Sequence, residues 1–238
     1  MNQDEIKEKR DKIKEELIRE SRSIQQGAFI TLSGADVREA FWKYDKVFLG
    51  GYFQRTYPGE LAFSISSRMT RAAGKTLWRK NAPENQQKIE IRMSVDFVFA
   101  HDMLGRKKRV NGIETRDNID AFLLVLEHEI CHALEVAMYG SSSCAAERFR
   151  GMAFSLFGHT EAFHELPTNG EIVRSVMGIE PGDTVGFSYQ GEEKIGKVAS
   201  IKKRAAVMVQ DEEGMYQDRH GRRYTKYYVP IYEMKKKF

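Results

Sequence analysis

Residues 117–140 read DNIDAFLLVLEHEICHALEVAMYG, and they carry the strongest helix signal in the chain. Asp117 and Asn118 are good N-terminal caps, and Asp120 adds a negative charge to the first turn. The apolar residues that follow recur at spacings of three and four, and Gly140 supplies a stop. This segment therefore predicts a helix whose apolar face packs against a core.

The middle of this helix contains the HExxH motif His128-Glu129-Ile130-Cys131-His132. Residues four apart lie on the same helical face, so the two imidazoles can converge on one metal ion. Glu129 would lie beside the metal, where it could take a proton from a water and return it to a leaving amine. The motif also occurs by chance in unrelated chains, where two histidines are hydrogen-bonded and inert. Its place within a well-capped helix favours the metal site.

A zinc site of this kind needs a third protein ligand and leaves the fourth position for water. The next predicted helix, over residues 145–157, would run back antiparallel past the metal. Cys144 lies at its start, Glu147 lies one turn further in, and His159 lies at its far end. Glu135 shares the face of the motif, but an ion pair or a supporting role is expected for it. The residues alone leave the third ligand open.

The sequence around this helix predicts an α+β domain. Besides residues 117–140, helices are expected over residues 1–25, 35–49 and 145–157. Alternating apolar and polar residues predict three strands, over residues 61–66, 69–78 and 89–93. The expected architecture is a set of helices on a small three-stranded sheet.

Beyond Gly182 the apolar period changes to two, and turn residues separate four or five short strands. Closure removes the exposed edges of such a short sheet, so an all-β, SH3-like barrel is predicted. Residues 182–238 hold twelve Lys and Arg against eight Asp and Glu, which gives this module a charge of +4. Its tyrosines alternate with basic residues, as a nucleic-acid surface or an ordinary barrel core would require. The residues expected to contact nucleic acid are Lys202, Lys203, Arg204, Arg222 and Arg223.

The amino-acid composition limits the class of protein and the cellular compartment that can be expected. The chain has 238 residues, 41% apolar and 30% charged, which is too apolar for a disordered protein. No apolar run approaches the roughly 20 residues of a membrane helix, so no membrane partner is expected. Two cysteines cannot form a disulfide framework and the first residues are charged, so we expect a cytoplasmic protein. The predicted segments are an N-terminal helical segment (1–34), the α+β domain (35–168), a linker (169–181) and the barrel (182–238).

Several separate stretches match one known family in order. They are Phe41…Tyr44-Asp45…Phe48-Leu49, SSRMTRAAG at 66–74, Ile91-Arg92-Met93-Ser94, LEHEICHA at 126–133 and Arg148-Phe149…Met152-Ala153. Over residues 35–166 the chain resembles the SprT-like zinc metalloproteases (the Spartan type), which include proteases of DNA–protein crosslinks. Ordered agreement over this span is more specific than the HExxH motif alone.

The resemblance implies a minimal zincin fold in which His128 and His132 bind zinc and Glu129 is the catalytic base. SprT-like proteins usually supply the third ligand from a His-Gly pair just before the aromatic residue of the second helix. The matching residues 143–149 contain no histidine. Cys144 is the closest in position, and a thiolate is a good zinc ligand, although it makes the metal a weaker Lewis acid than imidazole does.

Cys144 is therefore the expected third ligand, with His159 and Glu147 as alternatives. The function expected from these observations is zinc-dependent cleavage of protein substrates bound or crosslinked to DNA, with the barrel as a tether. The competing hypothesis is a non-catalytic nucleic-acid-binding protein with a structural zinc site. A closed four-ligand site would favour that hypothesis, and an open three-ligand site would favour the enzyme.

Overall fold

The computed structural model describes residues 1–69, 72–81, 83, 86–202 and 204–237. These residues form a mixed α+β protein, which confirms the predicted class. The chain divides into two compact units, Met1–Leu166 and Pro167–Phe238. Lys203, a predicted nucleic-acid contact, lies outside the described residues. No helix in the described part of the chain is both long enough and apolar enough to cross a membrane.

The first unit contains most of the helices. They are α1 (Gln3–Glu20), α2 (Gly34–Phe48), α3 (Tyr52–Thr56), α4 (Val95–Ala100), α5 (Asn118–Tyr139) and α6 (Glu147–Phe157), with a 3-10 turn at His101–Met103. The strands of this unit are β1 (Ile24–Gln25), β2 (Ala28–Phe29), β3 (Glu60–Ser66), β4 (Gly74–Trp78), β5 (Lys88–Ser94), β6 (Arg109–Val110) and β7 (Ile113–Glu114).

The predicted first helix is shorter than expected. It ends at Glu20, and β1 and β2 then form a short antiparallel hairpin. Gln26 and Gly27 join the two strands with φ angles of 50° and 77°. Paired positive φ angles are typical of the tight turns that match the twist of a hairpin. Residues 21–25, which were expected to continue the helix, therefore form a turn and the first strand of this hairpin.

A three-stranded sheet with the order β3-β5-β4 supports one side of the first unit. β3 runs parallel to the central strand β5, and β4 runs antiparallel to it. Ile89, Ile91 and Met93 of β5 are buried against the core. The predicted small sheet is confirmed, although the strand expected over residues 69–78 begins only at Gly74.

The core of this unit surrounds α5, of which every residue from Asn118 to Glu127 is buried. The narrow apolar stripe of α1, formed by Ile6, Ile13 and Leu17, packs into the same core. Residues 1–34, predicted as a separate segment, thus contribute to the hydrophobic cluster that contains α5.

A buried ion pair ties α1 to α5. Arg10 Nε and Nη2 donate to the two carboxylate oxygens of Glu127 at 2.6 and 2.8 Å. The Tyr44 hydroxyl of α2 donates to Glu127 at 2.7 Å, and the His159 ring lies 2.8 Å from the same carboxylate. A buried carboxylate is costly unless its oxygens are paired, so these contacts hold α1, α2 and α5 in register.

The second unit is built on an antiparallel sheet with its own core. Its elements are α7 (Asn169–Ile172), a π-helical turn (Val173–Met177), β8 (Thr184–Tyr189), β9 (Glu192–Ile201), β10 (Arg204–Gln210), β11 (Tyr216–Gln217), β12 (Arg223–Pro230), a 3-10 turn (Ile231–Glu233) and β13 (Lys235–Lys236). The strand order is β11-β12-β10-β9-β8-β13.

A closed barrel would require the two terminal strands of that order, β11 and β13, to pair with each other. Among the described residues, no pairing joins β11 to β13. The predicted run of short strands is present, and closure into a barrel stays a prediction. Val173 and Ile179, which lie in the predicted linker, are buried in the core of this unit.

Candidate metal centre

The two histidines of the motif converge on one face of α5. Asp117 caps this helix by accepting hydrogen bonds from the backbone of its first turn, and Gly140 ends it with a φ of 70°. His128 Nε2 and His132 Nε2 lie 3.1 Å apart. The Phe149 ring of α6 packs against both imidazoles, with ring centroids 4.9 and 4.3 Å away. Packing by α6 thus limits the rotation of both rings.

Cys144 joins this pair from the segment between α5 and α6. The ligand atoms of His128, His132 and Cys144 all lie within 4.8 Å of one another, and Cys144 is partly buried. Two ligands at the usual zinc distances in a tetrahedral site are roughly 3.3–3.8 Å apart. Two imidazoles and one thiol form a donor set that suits zinc, and ligand atoms 4.8 Å apart would have to move about 1 Å closer to share one ion.

The alternative ligands have other roles or other positions among the described residues. The ring of His159 is bonded to Glu127 in the core. Glu147 is exposed at the first residue of α6. Glu135 is fully buried and pairs with Arg148 Nε at 2.6 Å, as expected of an ion-pair residue. Of the candidates for a third ligand, the structure brings Cys144 to the two histidines.

Burial keeps the two histidines neutral. Removal from water lowers the pKa of His128 to about 3, with a smaller contribution from the nearby His132. Burial likewise lowers the pKa of His132 to about 4, although Glu135 acts in the opposite direction. A metal binds the neutral imidazole through a lone pair, so both rings are in the required state at pH 7.

Glu129 lies on the side of α5 that faces β4. Its carboxylate is buried, and the Thr76 hydroxyl donates to Oε2 at 2.8 Å. Burial raises the pKa of Glu129 to about 7, and the hydrogen bonds from Thr76 offset only part of this effect. A general base works best when its pKa lies near the operating pH. The residue predicted to move a proton is therefore suited to do so near neutrality.

Gly74 makes room for that carboxylate. A Cβ atom at position 74 would lie 2.6 Å from Glu129 Oε1 and 2.8 Å from Val125 Cγ1. The contacts of Gly74 and Thr76 with Glu129 could not be read from the sequence, because more than fifty residues separate them from it in the chain.

The four predicted nucleic-acid contacts that the structure describes do not form one patch. Lys202 and Arg204 lie at the turn between β9 and β10, where Arg204 is paired with Pro230 at the end of β12. Arg222 and Arg223 lie at the start of β12, roughly 20 Å away along a strand of this length. Arg222 Nε is also 2.9 Å from a carboxylate oxygen of Asp218.

A different surface lies between these two groups. Tyr227 packs on the core side of β12, with its ring 5.5 Å from Phe187, so its neighbours Lys226 and Tyr228 point to the opposite side. Tyr228 is 64% exposed, and the Lys226 ammonium lies 4.1 Å from the centre of the Tyr216 ring. We call this the outer face of the sheet; its residues are Lys197, Met208, Tyr216, Tyr224, Lys226 and Tyr228. The alternation of core-facing and outward-facing residues around the buried Val229 is the sequence signal that could have predicted this outer face.

Comparisons with models of protein families, with curated proteins and with solved structures found no match to this chain.

Proposed function

We propose that the protein is a zinc-dependent metallopeptidase of the SprT-like class and that its first unit is a zincin-like domain. One observation carries this proposal: the ligand atoms of His128, His132 and Cys144 converge, and Glu129, next to His128 in the chain, has a buried carboxylate. Among the described residues this cluster offers three ligands, which is the number that a catalytic zinc site uses. A three-ligand site leaves one position for water, so the geometry supports catalysis over a closed structural site.

Each residue around the proposed metal site would have its own role in peptide hydrolysis. When bound, zinc would supply Lewis acidity toward a peptide carbonyl and lower the pKa of a bound water. Glu129 would accept the proton of the attacking water and donate it to the leaving nitrogen. The hydroxyl of Thr76 would hold one oxygen of that carboxylate in place. Phe149 would keep both imidazoles fixed and shield them from solvent.

The sheet offers a way to hold the substrate. β4 is at one end of the order β3-β5-β4, and in the described part of the chain it pairs with β5 alone. The same strand carries Gly74 and Thr76, which contact Glu129. An extended peptide that added to the outer edge of β4 would run past the proposed metal site, as in other cases of strand addition.

In the same proposal the second unit is an SH3-like barrel. It would hold the peptidase at DNA or at a DNA-bound protein. The charge of residues 182–238 and the exposed Tyr216, Tyr228 and Lys197 of the outer face support this role. Exposed aromatic rings stack on bases, and lysines neutralise phosphates. The proposed compartment is the cytoplasm, where Cys144 would stay reduced and able to bind metal.

The test is metal content and proteolysis of the full chain. We expect about one zinc per chain in the wild type, none in His128→Ala or His132→Ala, and full zinc but no turnover in Glu129→Gln. Glu8→Gln is the matched control, because the same change at an exposed glutamate of α1 should alter neither quantity. Equal turnover by Glu129→Gln and wild type on an unfolded protein substrate would contradict the mechanism. Bound zinc with no turnover, with or without DNA, would favour the structural-zinc alternative.

A further inference from the structure

Glu135 has no part in the proposed reaction, yet its carboxylate is completely buried next to the metal centre. Its oxygen Oε1 lies 2.6 Å from Arg148 Nε, and Oε2 lies 2.5 Å from the Ser142 hydroxyl. The same hydroxyl is 2.7 Å from His132 Nδ1. A continuous chain of contacts therefore leads from Arg148 through Glu135 and Ser142 to His132.

The direction of these hydrogen bonds follows from the number of available protons. The carboxylate paired with Arg148 can only accept, so Ser142 must donate its single hydroxyl proton to Glu135. Ser142 can then only accept from His132, and the proton of that imidazole is therefore on Nδ1. His132 Nε2 is left with its lone pair, directed at His128.

The second histidine has the opposite tautomer when no metal is bound. His128 Nε2 lies 3.1 Å from His132 Nε2, and two lone pairs would repel each other at that distance. The proton of this hydrogen bond must come from His128, because His132 Nε2 has none. The Nδ1 atom of His128 is buried with no hydrogen-bond partner among the described residues, which suits an unprotonated nitrogen better than a proton donor.

We propose that Glu135 and Ser142 are positioning residues that hold His132 permanently as the Nδ1–H tautomer, so that its Nε2 is always ready for the metal. His128 would change from the Nε2–H to the Nδ1–H tautomer when metal replaces the proton between the two rings. This inference rests on the proposed zinc site. Hydrogen bonds to the outer nitrogen of a ligating histidine set its tautomer and orientation and raise its affinity for metal.

The same carboxylate also organises the segment that carries Cys144. The backbone nitrogen of Ser143 lies 3.4 Å from Glu135 Oε2. Arg148 of α6, already paired with Glu135, donates from Nη2 to the carbonyl of Ser141 at 3.3 Å. Glu135 therefore links two of the three predicted ligand positions: it supports His132 through Ser142, and with Arg148 it holds the segment on which Cys144 lies.

The tautomers can be read directly by 15N NMR of the histidine side chains in the full chain, with His132→Ala and His128→Ala used for assignment. In metal-free protein at pH 7 we expect His132 to be protonated on Nδ1 and His128 on Nε2. After zinc is added, His132 should keep its tautomer and His128 should switch. A metal-free His132 protonated on Nε2 would overturn the proposal, and this result needs no variant that might fail to fold.

Zinc affinity, measured by competition with a chelator, gives a second readout. Ser142→Ala should weaken zinc binding by about 10–100-fold, and Ser142→Thr, which keeps the hydroxyl, should restore it. Ser143→Ala is the matched control, because only the backbone of that residue contacts Glu135. Wild-type affinity in Ser142→Ala would refute the relay even if His132→Ala abolishes binding and so supports the site. If the wild type binds no zinc, the proposed function fails, and the metal-free tautomers still decide the hydrogen-bond relay.

Discussion

At the residue scale, the position of the Glu129 carboxylate, the proposed base, depends on the absence of a side chain at Gly74. The two residues belong to different elements, and the gap between β4 and α5 is only wide enough for a hydrogen atom at position 74. Interiors are close-packed, so an added methyl group must displace one of its neighbours. The neighbour closest to it is the carboxylate that we assign as the base.

Gly74→Ala should therefore lower peptidase activity by roughly 100-fold, because a base displaced by about 1 Å is badly placed for proton transfer. The cost in stability should be about 1–3 kcal/mol, the usual range for overpacking. Zinc content should stay at the wild-type level, since the atoms nearest to a Cβ at position 74 belong to Glu129 and Val125, which are not predicted ligands. Gly105→Ala is the control, because a Cβ atom there would meet nothing within 4 Å. Unchanged activity in Gly74→Ala would show that the position of this carboxylate does not limit the reaction.

The third ligand gives a second prediction at this scale. Cys144→Ala should weaken zinc binding by more than the 10–100-fold that is typical of changes outside the ligand set, because it removes a donor. His159→Ala should leave zinc affinity unchanged and destabilise the fold by about 1–3 kcal/mol, since Glu127 loses a buried partner. Chelator competition and urea unfolding separate the two effects. Loss of zinc only in His159→Ala would reverse our assignment.

At the scale of elements, the packing of α1 on α5 is electrostatic as well as apolar. Lys14 Nζ lies 2.7 Å from Asp120 in the first turn of α5, and Arg116 donates to the same carboxylate at 2.6 Å. Burial alone would raise the pKa of Asp120, but the hydrogen bonds from Arg116 and Lys14 outweigh it and lower the pKa to about 2. A lowered pKa in the folded state means that the ionised carboxylate stabilises the fold.

The lowered pKa of Asp120 predicts how the stability of the fold changes in acid. The contribution of Asp120 should be fully present above about pH 4 and should be lost as the pH falls toward 2, because the proton then neutralises the carboxylate in both states. A pKa of about 2 against an ordinary value of 3.8 corresponds to about 2 kcal/mol. Urea unfolding should therefore show Asp120→Asn destabilised by about this amount at pH 7 and by much less near pH 2. Glu8→Gln, at an exposed position of α1, should show no such change. A constant difference across this pH range would contradict the assignment.

At the scale of the whole molecule, the charge is unevenly distributed. Residues 182–238 carry +4 and the remainder of the chain is neutral. The two basic groups chosen from the sequence lie at opposite ends of the β10–β12 pair, and the tyrosines between them lie on the outer face. A single strand that crossed this face would meet aromatic rings in its middle and positive charge on either side.

Tyr228→Ala should thus weaken binding of a single-stranded oligonucleotide to the full chain by about 5–150-fold, equivalent to about 1–3 kcal/mol for one stacked base. The slope of log affinity against log salt should stay the same, because no charge is removed, whereas Lys226→Ala should reduce it by about 0.7. Tyr232→Ala is the control: this tyrosine is 83% exposed but lies in the 3-10 turn after β12. Fluorescence anisotropy at several salt concentrations measures both quantities. Equal losses in the two tyrosine variants would argue against the outer face.

The amino-acid sequence by itself determined the elements whose signals are local. The capped helix α5 and its HExxH motif, the α+β class and the small sheet could be predicted because caps, stops and apolar periods are properties of neighbouring residues. The turn at Gln26 and Gly27 was missed for the same reason, since polar residues suit a helix end and a hairpin equally well. Local patterns also gave the right face for His128 and His132, because the spacing of four is fixed by helical geometry.

Only the tertiary structure decided which residues surround that motif. Cys144 rather than His159 lies beside the histidines because α6 packs back along α5, and His159 is drawn instead to the buried charge of Glu127. Thr76 reaches Glu129, and Ser142 reaches His132, through contacts between separate elements. Such contacts depend on how helices and strands pack against one another. Packing must pair the buried charges and fill the interior of a unit closely, and both requirements involve residues that are far apart in the chain. No window of neighbouring residues contains that information, so the elements of this protein could be predicted and the partners of its ligands could not.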